Sequence, residues 1–132
     1  MPQRLPDKFK EKGFKRIILS IKHSIDGISY IYNNERSMIL HVFTSIVTIS
    51  LGIIFRISLK EWGLLIIALL LILSMELLNT AIERTVDLVT EKVNPLAKIA
   101  KDCGSAASFV MCFISLIIFL FIFIPYVTRI IN

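Results

Sequence analysis

Three long apolar runs constrain the fold of this chain more than any other feature of its sequence. They cover residues 38–55, 62–78 and 105–127, and the only acidic residue, lysine or arginine in any of them is Glu76. A helix needs roughly 20 apolar residues to cross a bilayer, and each run approaches or reaches that length. The sequence therefore predicts an all-α membrane protein with three transmembrane helices, built as a single domain over residues 1–132.

The composition agrees with a membrane protein and offers a simple reason for the positive charge. The chain is 55% hydrophobic, its mean hydropathy is +0.76, and its formal net charge is +5. Attraction of basic residues to anionic lipid headgroups accounts for such a charge without a nucleic-acid partner. Cys103 and Cys112 are interpreted as small apolar side chains rather than as a disulfide or a redox pair.

The distribution of lysine and arginine predicts the orientation. Residues 1–37 hold eight of these basic residues and residues 84–102 hold four, whereas the connection at residues 56–61 holds two. Because basic residues concentrate in cytoplasmic loops, the N-terminus and the 84–102 segment are expected on the cytoplasmic side. The 56–61 connection and the C-terminus are then expected on the outer side.

The segment before the first apolar run has two parts. Residues 1–13 are polar, contain Pro2 and Pro6, and predict a loose tail. Residues 14–33 predict an amphipathic surface helix lying in the membrane interface, because their apolar residues recur at helical spacing. These apolar residues are Phe14, Ile17, Ile18, Ile21, Ile25, Ile28 and Tyr32.

Four polar residues follow the second apolar run at spacings of three, four and four. Glu76, Asn79, Glu83 and Asp87 therefore lie along one face of a helix that we expect to continue to about Val89. Ionisable groups at membrane depth are costly and usually functional. Glu76 is a candidate general base, with a structural hydrogen bond inside the membrane as the alternative interpretation.

Other charged residues at the same membrane face are candidates for binding a metal and a phosphate. Glu83, together with Glu35 at the start of the first span, offers the oxygen ligands that Mg²⁺ takes alongside phosphates and water. Lys101 and Asp102 offer a phosphate partner and a hydrogen-bond acceptor. An alternative interpretation takes Glu83, Asp87, Lys101 and Asp102 as ordinary solvated surface charges. A water-soluble phosphate donor and a lipid acceptor can meet at this face.

Two sequence motifs give the chain a specific resemblance. They are Glu76-Leu-Leu-Asn-Thr-Ala-Ile-Glu-Arg-Thr-Val-Asp87 and Ala97-Lys-Ile-Ala-Lys-Asp-Cys-Gly-Ser-Ala-Ala107. Together they closely resemble the signature of the bacterial membrane diacylglycerol kinase and undecaprenol kinase family, and the likeness extends upstream to Asn34-Glu-Arg36 and Phe14-Lys-Arg-Ile-Ile18. The resemblance implies a homotrimer in the bacterial inner membrane, with active sites shared between subunits. It also implies transfer of the ATP γ-phosphate to a lipid hydroxyl.

The resemblance assigns roles to individual residues. Glu76 is implied as the base for the lipid hydroxyl, and Glu35 and Glu83 as ligands of the Mg²⁺ that accompanies ATP. Asn79 and Asp87 are implied as supporting polar groups. Lys101 and Asp102 match positions that contact the nucleotide, and His23 is a further position expected near the nucleotide. Arg16 and His41 are implied as contacts of the acceptor lipid.

Two departures from the diacylglycerol branch favour undecaprenol as the acceptor. His41 stands where that branch has a second acid, and the Asn94–Lys98 turn is more similar to the undecaprenol branch. Diacylglycerol remains the alternative acceptor. A rival of another class is a trimeric membrane protein that keeps the fold without catalysis, for which loss of an acid at position 35, 76 or 83 would be typical; all three acids are present.

Overall fold

The structure is a computed structural model that describes residues 13–90 and 92–131. Within these residues the regular elements are four helices. Their bounds are Phe14–Asn34 for α1, Arg36–Phe55 for α2, Leu59–Val89 for α3 and Pro95–Ile131 for α4. The predicted loose tail at residues 1–13 lies outside the described residues except for Gly13.

The chain forms two compact units, one ending at Asn34 and the other beginning at Glu35. The first unit contributes α1, which runs without a break through Gly27. The apolar residues predicted to form one face of this helix all have exposed side chains: Phe14, Ile17, Ile18, Ile21, Ile25, Ile28 and Tyr32. That this helix lies in the membrane interface, and that the chain is a single domain, both stay predictions.

In the second unit α3 and α4 lie side by side and antiparallel. Ser108 Oγ donates to the carbonyl of Met75 at 3.2 Å, and Ser115 Oγ donates to the carbonyl of Ala68 at 3.3 Å. As the α4 residue number rises, the α3 partner's number falls, which defines the antiparallel direction. This part of α4 is rich in small residues, from Gly104 to Ser108, and small side chains permit such close helix contacts.

Helix α2 runs antiparallel to α3, and Phe55 near its end also contacts Phe123 and Tyr126 of α4. Near its end, Gly52 packs against the indole of Trp62, where a Cβ on Gly52 would lie 2.9 Å from the ring. A small core lies beside the connection between α2 and α3, formed by Ile57, Leu65, Ile122 and Phe123. Close approach at Gly52 thus depends on the missing side chain.

The ends of α3 follow from local chemistry. Ser58 and Glu61 form a capping box, in which Ser58 Oγ accepts from the Glu61 amide at 3.4 Å and Glu61 Oε2 accepts from the Ser58 amide at 2.7 Å. Tyr126 of α4 donates to the same Glu61 oxygen at 2.7 Å. The predicted end of this helix at about Val89 is confirmed. Helix α4 begins at Pro95, whose fixed φ suits the first position of a helix.

Helices α2, α3 and α4 are long and apolar enough to cross a membrane. They contain the predicted spans 38–55, 62–78 and 105–127, and α3 and α4 extend well beyond them. Few of their residues are buried within one chain. In the most apolar stretch of each helix, only 11% to 17% of the residues are buried. Their outward faces therefore need lipid or protein around them, as expected for an integral membrane protein.

Candidate active site

The Glu76 side chain lies in the interior of the second unit, next to α2. It is 8% exposed, which is rare for a carboxylate without partners. Ser37 Oγ donates a hydrogen bond to Glu76 Oε1, and His41 Nε2 lies 3.9 Å from Glu76 Oε2. Two side chains one turn apart on α2 thus face the two oxygens of a single α3 carboxylate.

An apolar cavity of about 410 Å³ adjoins this carboxylate through His41, which lines it. Its walls come from α2, α3 and α4, and Cys112, Thr44 and Ser115 are among the few polar or sulfur-containing side chains there. The apolar lining residues are Leu40, Phe43, Val47, Leu65, Ala68, Leu69, Ile72, Leu116 and Phe119. His41 therefore lies both against apolar space and beside a buried carboxylate.

Asn79 lies one turn further along α3, and its amide nitrogen and its amide oxygen differ in their hydrogen bonding. Its Nδ2 donates to Glu83 Oε1 at 3.2 Å. Its Oδ1 is buried and has no hydrogen-bond partner among the described residues. That oxygen faces α4 at Gly104, where a Cβ would come within 2.6 Å of it. An unpaired buried acceptor is costly, and such a group commonly serves a ligand or water.

The remaining charged candidates form two ion pairs. Glu35, the N-cap residue of α2, accepts from Arg84 Nη2 at 2.8 Å, and Asp87 accepts from Lys101 Nζ at 2.6 Å. All four side chains are partly exposed, between 21% and 50%. Exposed ion pairs contribute little to stability, so these groups can exchange partners when a charged ligand arrives. Asp102 is exposed next to Lys101.

Glu35 and Glu83 are carboxylates, the ligand type that Mg²⁺ takes from proteins when phosphates and water complete its coordination. No group of three or more His, Cys, Asp or Glu side chains suited to a metal ion occurs in the part of the chain that the structure describes. Mg²⁺ at phosphate-transfer sites commonly takes only one or two carboxylates from the protein, so a larger cluster is not required. Glu35 already faces a cation, Arg84, and Glu83 presents an oxygen beside the unsatisfied Asn79.

Arg16 and His23 belong to the other unit. Both lie on α1, and both side chains are exposed. Their predicted roles at the acceptor and the nucleotide stay predictions.

Three contributors to this site were not identified from the sequence. Ser37 and Arg84 contact Glu76 and Glu35 across helices, and Gly104 leaves the space that Asn79 Oδ1 faces. Ser37 did carry a signal, since it lies two residues after Glu35 and one helical turn before His41. The site residues on α3 were recognisable from their helical spacing, whereas these partners depend on how the helices pack.

Comparison with known proteins shows the family of this chain. Residues 22–123 match the family described as prokaryotic diacylglycerol kinase. An undecaprenol kinase of Bacillus subtilis is 40% identical over 121 residues, covering 92% of this chain and 98% of that protein. A diacylglycerol kinase of Pseudomonas aeruginosa is 41% identical over 106 residues, covering 80% of this chain and 86% of that protein. The chain therefore belongs to the prokaryotic diacylglycerol kinase family, a family of membrane phosphotransferases that act on lipid alcohols.

Proposed function

We propose that this protein is an ATP- and Mg²⁺-dependent lipid kinase that converts undecaprenol to undecaprenyl phosphate. The observation that carries the proposal is the position of Glu76. Its buried carboxylate lies beside His41, and His41 lines an apolar cavity. A base next to apolar space is the arrangement that a reaction on the hydroxyl of a lipid requires.

Glu76 acts as the general base in this proposal. It accepts the proton of the lipid hydroxyl as that oxygen attacks the γ-phosphorus of ATP. Asn79 supports the site from the next turn of α3, where its unsatisfied oxygen is available to a ligand. Phosphoryl transfer needs positioning and charge neutralisation more than covalent chemistry, which suits a site made of carboxylates and amides.

The nucleotide and its metal are bound mainly by charged groups at the start of α2 and on α3 and α4. Glu35 and Glu83 would hold the Mg²⁺ ion, which neutralises charge on the ATP phosphates. Lys101 and Asp102 contact the nucleotide, and Asp87 orients Lys101 through the ion pair at 2.6 Å. His23 is proposed as a further nucleotide contact.

At the acceptor side, His41 and Arg16 bind the lipid. The preference for undecaprenol rests on His41, which replaces an acid of the diacylglycerol branch, and on the Asn94–Lys98 turn. The Bacillus subtilis relative, which spans 92% of this chain, is named undecaprenol kinase and supports this choice. Diacylglycerol, converted to phosphatidic acid, is the second candidate, supported by the Pseudomonas aeruginosa relative, which has a similar identity over a shorter part of the chain.

We further propose a homotrimer in the bacterial inner membrane, with its N-terminus in the cytoplasm and active sites shared between subunits. Helix α1 would lie in the membrane interface with its apolar side chains in lipid, which is supported by their exposure in the single chain.

A radiolabelled-ATP assay tests the activity and the acceptor together. The purified protein is reconstituted in nanodiscs that contain undecaprenol, diacylglycerol or neither, and phosphate incorporation into lipid is measured with and without Mg²⁺. Mg²⁺-dependent labelling of undecaprenol above diacylglycerol is expected, with Glu76→Gln as the matched inactive control. Labelling of neither lipid would instead support a protein that keeps the fold without catalysis.

A further inference from the structure

Two side chains of α2 face the Glu76 carboxylate, and only one of them forms a hydrogen bond with it. Ser37 Oγ donates to Oε1, whereas His41 Nε2 is 3.9 Å from Oε2, too far for a hydrogen bond. Because Ser37 and His41 are four residues apart, they project from the same face of α2. The two oxygens of Glu76 therefore have different surroundings.

The Ser37 hydroxyl has its hydrogen-bond acceptor on another helix, unlike three later hydroxyls of α2. Thr44, Ser45 and Ser50 each donate to a carbonyl of their own helix. Ser37 is the second residue of α2, so no carbonyl of this helix lies four residues before it. Its hydroxyl instead crosses to α3.

This bond has a consequence for a base. The terminal torsion of a glutamate is broad, so an unrestrained carboxylate rotates and presents either oxygen. With Oε1 held by Ser37, Oε2 is the oxygen directed towards His41. Oε2 and His41 Nε2 are 3.9 Å apart, so a hydroxyl oxygen that approaches from one side can lie within hydrogen-bond distance of both.

We propose that Ser37 is a positioning residue, which holds Glu76 so that Oε2 receives the proton of the acceptor hydroxyl between Glu76 and His41. The inference rests on the proposed function, since it takes Glu76 as the base. In this step the acceptor O–H bond breaks and its proton passes to Oε2. The acceptor oxygen bonds to the γ-phosphorus, and the bond from that phosphorus to the bridging oxygen breaks with its electron pair leaving on ADP.

The test compares two substitutions of nearly equal shape. Ser37→Thr keeps a hydroxyl and Ser37→Val replaces it with a methyl group. We expect Ser37→Val to lower kcat by about 10- to 100-fold, the size of one lost hydrogen bond to a charged group, with the KM for ATP unchanged. Ser37→Thr is expected to keep kcat within about threefold of the value for the unmutated protein. Ser50→Val, a matched change elsewhere on α2, is expected to leave kcat unchanged.

A double-mutant cycle separates positioning from a structural role. If Ser37 acts through Glu76, Ser37→Val lowers kcat in the unmutated protein but causes no further loss in Glu76→Gln. Equal kcat values for Ser37→Val and Ser37→Thr would overturn the proposal, and so would the same fractional loss in both backgrounds. If Ser37→Val does not assemble, Ser37→Ala takes its place in the cycle.

The Glu76→Gln variant by itself distinguishes failure of the proposed function from failure of the Ser37 inference. If Glu76→Gln alone keeps near-normal turnover, Glu76 is not the base and the inference about Ser37 falls with it. If Glu76→Gln is inactive while Ser37→Val is fully active, only the role of Ser37 is overturned.

Discussion

Glu76 is a carboxylate on an apolar helix whose nearest polar neighbours come from another helix. The cost of placing it there is offset by the Ser37 hydrogen bond and the nearby His41 side chain. Because its exposure is only 8%, this group is sheltered from bulk water, which supports its proposed role as the base for a lipid hydroxyl.

The first prediction concerns Glu76→Gln. This change keeps the shape of the side chain and its ability to accept the Ser37 bond, but it removes the base. We expect kcat to fall by at least about 100-fold while the protein still assembles, measured by lipid phosphorylation and by size-exclusion chromatography. Near-normal turnover would remove Glu76 from the catalytic role.

The second prediction concerns the choice of acceptor at His41. Diacylglycerol carries two esters beside its hydroxyl and undecaprenol carries none, and each unpaired buried polar group costs about 1–3 kcal/mol. We expect His41→Glu to shift the ratio of the two kcat/KM values towards diacylglycerol, by about 10-fold for each 1.4 kcal/mol gained.

His41→Gln is the control, since it keeps hydrogen-bonding capacity without adding an acid beside Glu76. An unmutated protein that phosphorylates diacylglycerol as well as undecaprenol would contradict the acceptor assignment and leave the kinase activity standing.

At the scale of helices, the contact between α3 and α4 depends on Gly104. This residue is buried, and its missing side chain leaves the space that Asn79 Oδ1 faces. The end of α3 that carries Asn79, Glu83 and Asp87 therefore approaches α4 more closely than any larger residue would permit.

The third prediction is that Gly104→Ala impairs activity more than stability. A Cβ at 2.6 Å must displace Asn79, whereas alanine also favours the helix by about 1 kcal/mol, so the free energy of unfolding should change by less than about 2 kcal/mol. A displaced Asn79 is expected to lower kcat by about 10- to 100-fold.

Gly63→Ala is the matched control, because a Cβ there meets nothing within 4 Å and should leave kcat unchanged. Thermal unfolding and lipid phosphorylation are measured on both variants. Full activity in Gly104→Ala would show that the position of Asn79 is not critical.

The fourth prediction concerns Glu35 and Glu83, the two residues proposed to hold Mg²⁺. Glu35→Ala and Glu83→Ala should each weaken binding of MgATP, because each removes a proposed ligand oxygen. Raising Mg²⁺ should partly rescue either variant but not the double variant.

Isothermal titration provides the affinities, and Asp26→Ala, an exposed acid outside the proposed site, is the control. Unchanged MgATP affinity in the double variant would contradict the assignment of both ligands.

At the scale of the whole molecule, a single chain leaves large apolar faces uncovered. Small residues on α4, among them Ser105 and Ala106, are exposed on this chain, and such residues permit close contact between membrane helices. This surface suits packing against further copies of the chain.

The fifth prediction is therefore a homotrimer in detergent. Light scattering coupled to size-exclusion chromatography should give a protein mass three times the 15.0 kDa of the chain, in fractions that hold the kinase activity. A monomeric mass in fully active fractions would contradict the trimer.

The sequence by itself determined the helices and the alignment of the α3 polar residues. Apolar length predicted three spans, and the three- and four-residue spacing from Glu76 to Asp87 placed those side chains on one face. Such properties depend on local chain geometry, which the α-helix repeats at every turn.

Only the tertiary structure decided which side chains meet these residues. The bond from Ser37 to Glu76 joins residues 39 positions apart, and the pair of Arg84 with Glu35 joins residues 49 positions apart. Whether they touch depends on the rotation and depth at which α2 packs against α3, and no local spacing encodes these. The unsatisfied oxygen of Asn79 opposite Gly104 arises in the same way, because it exists only where α3 and α4 approach closely.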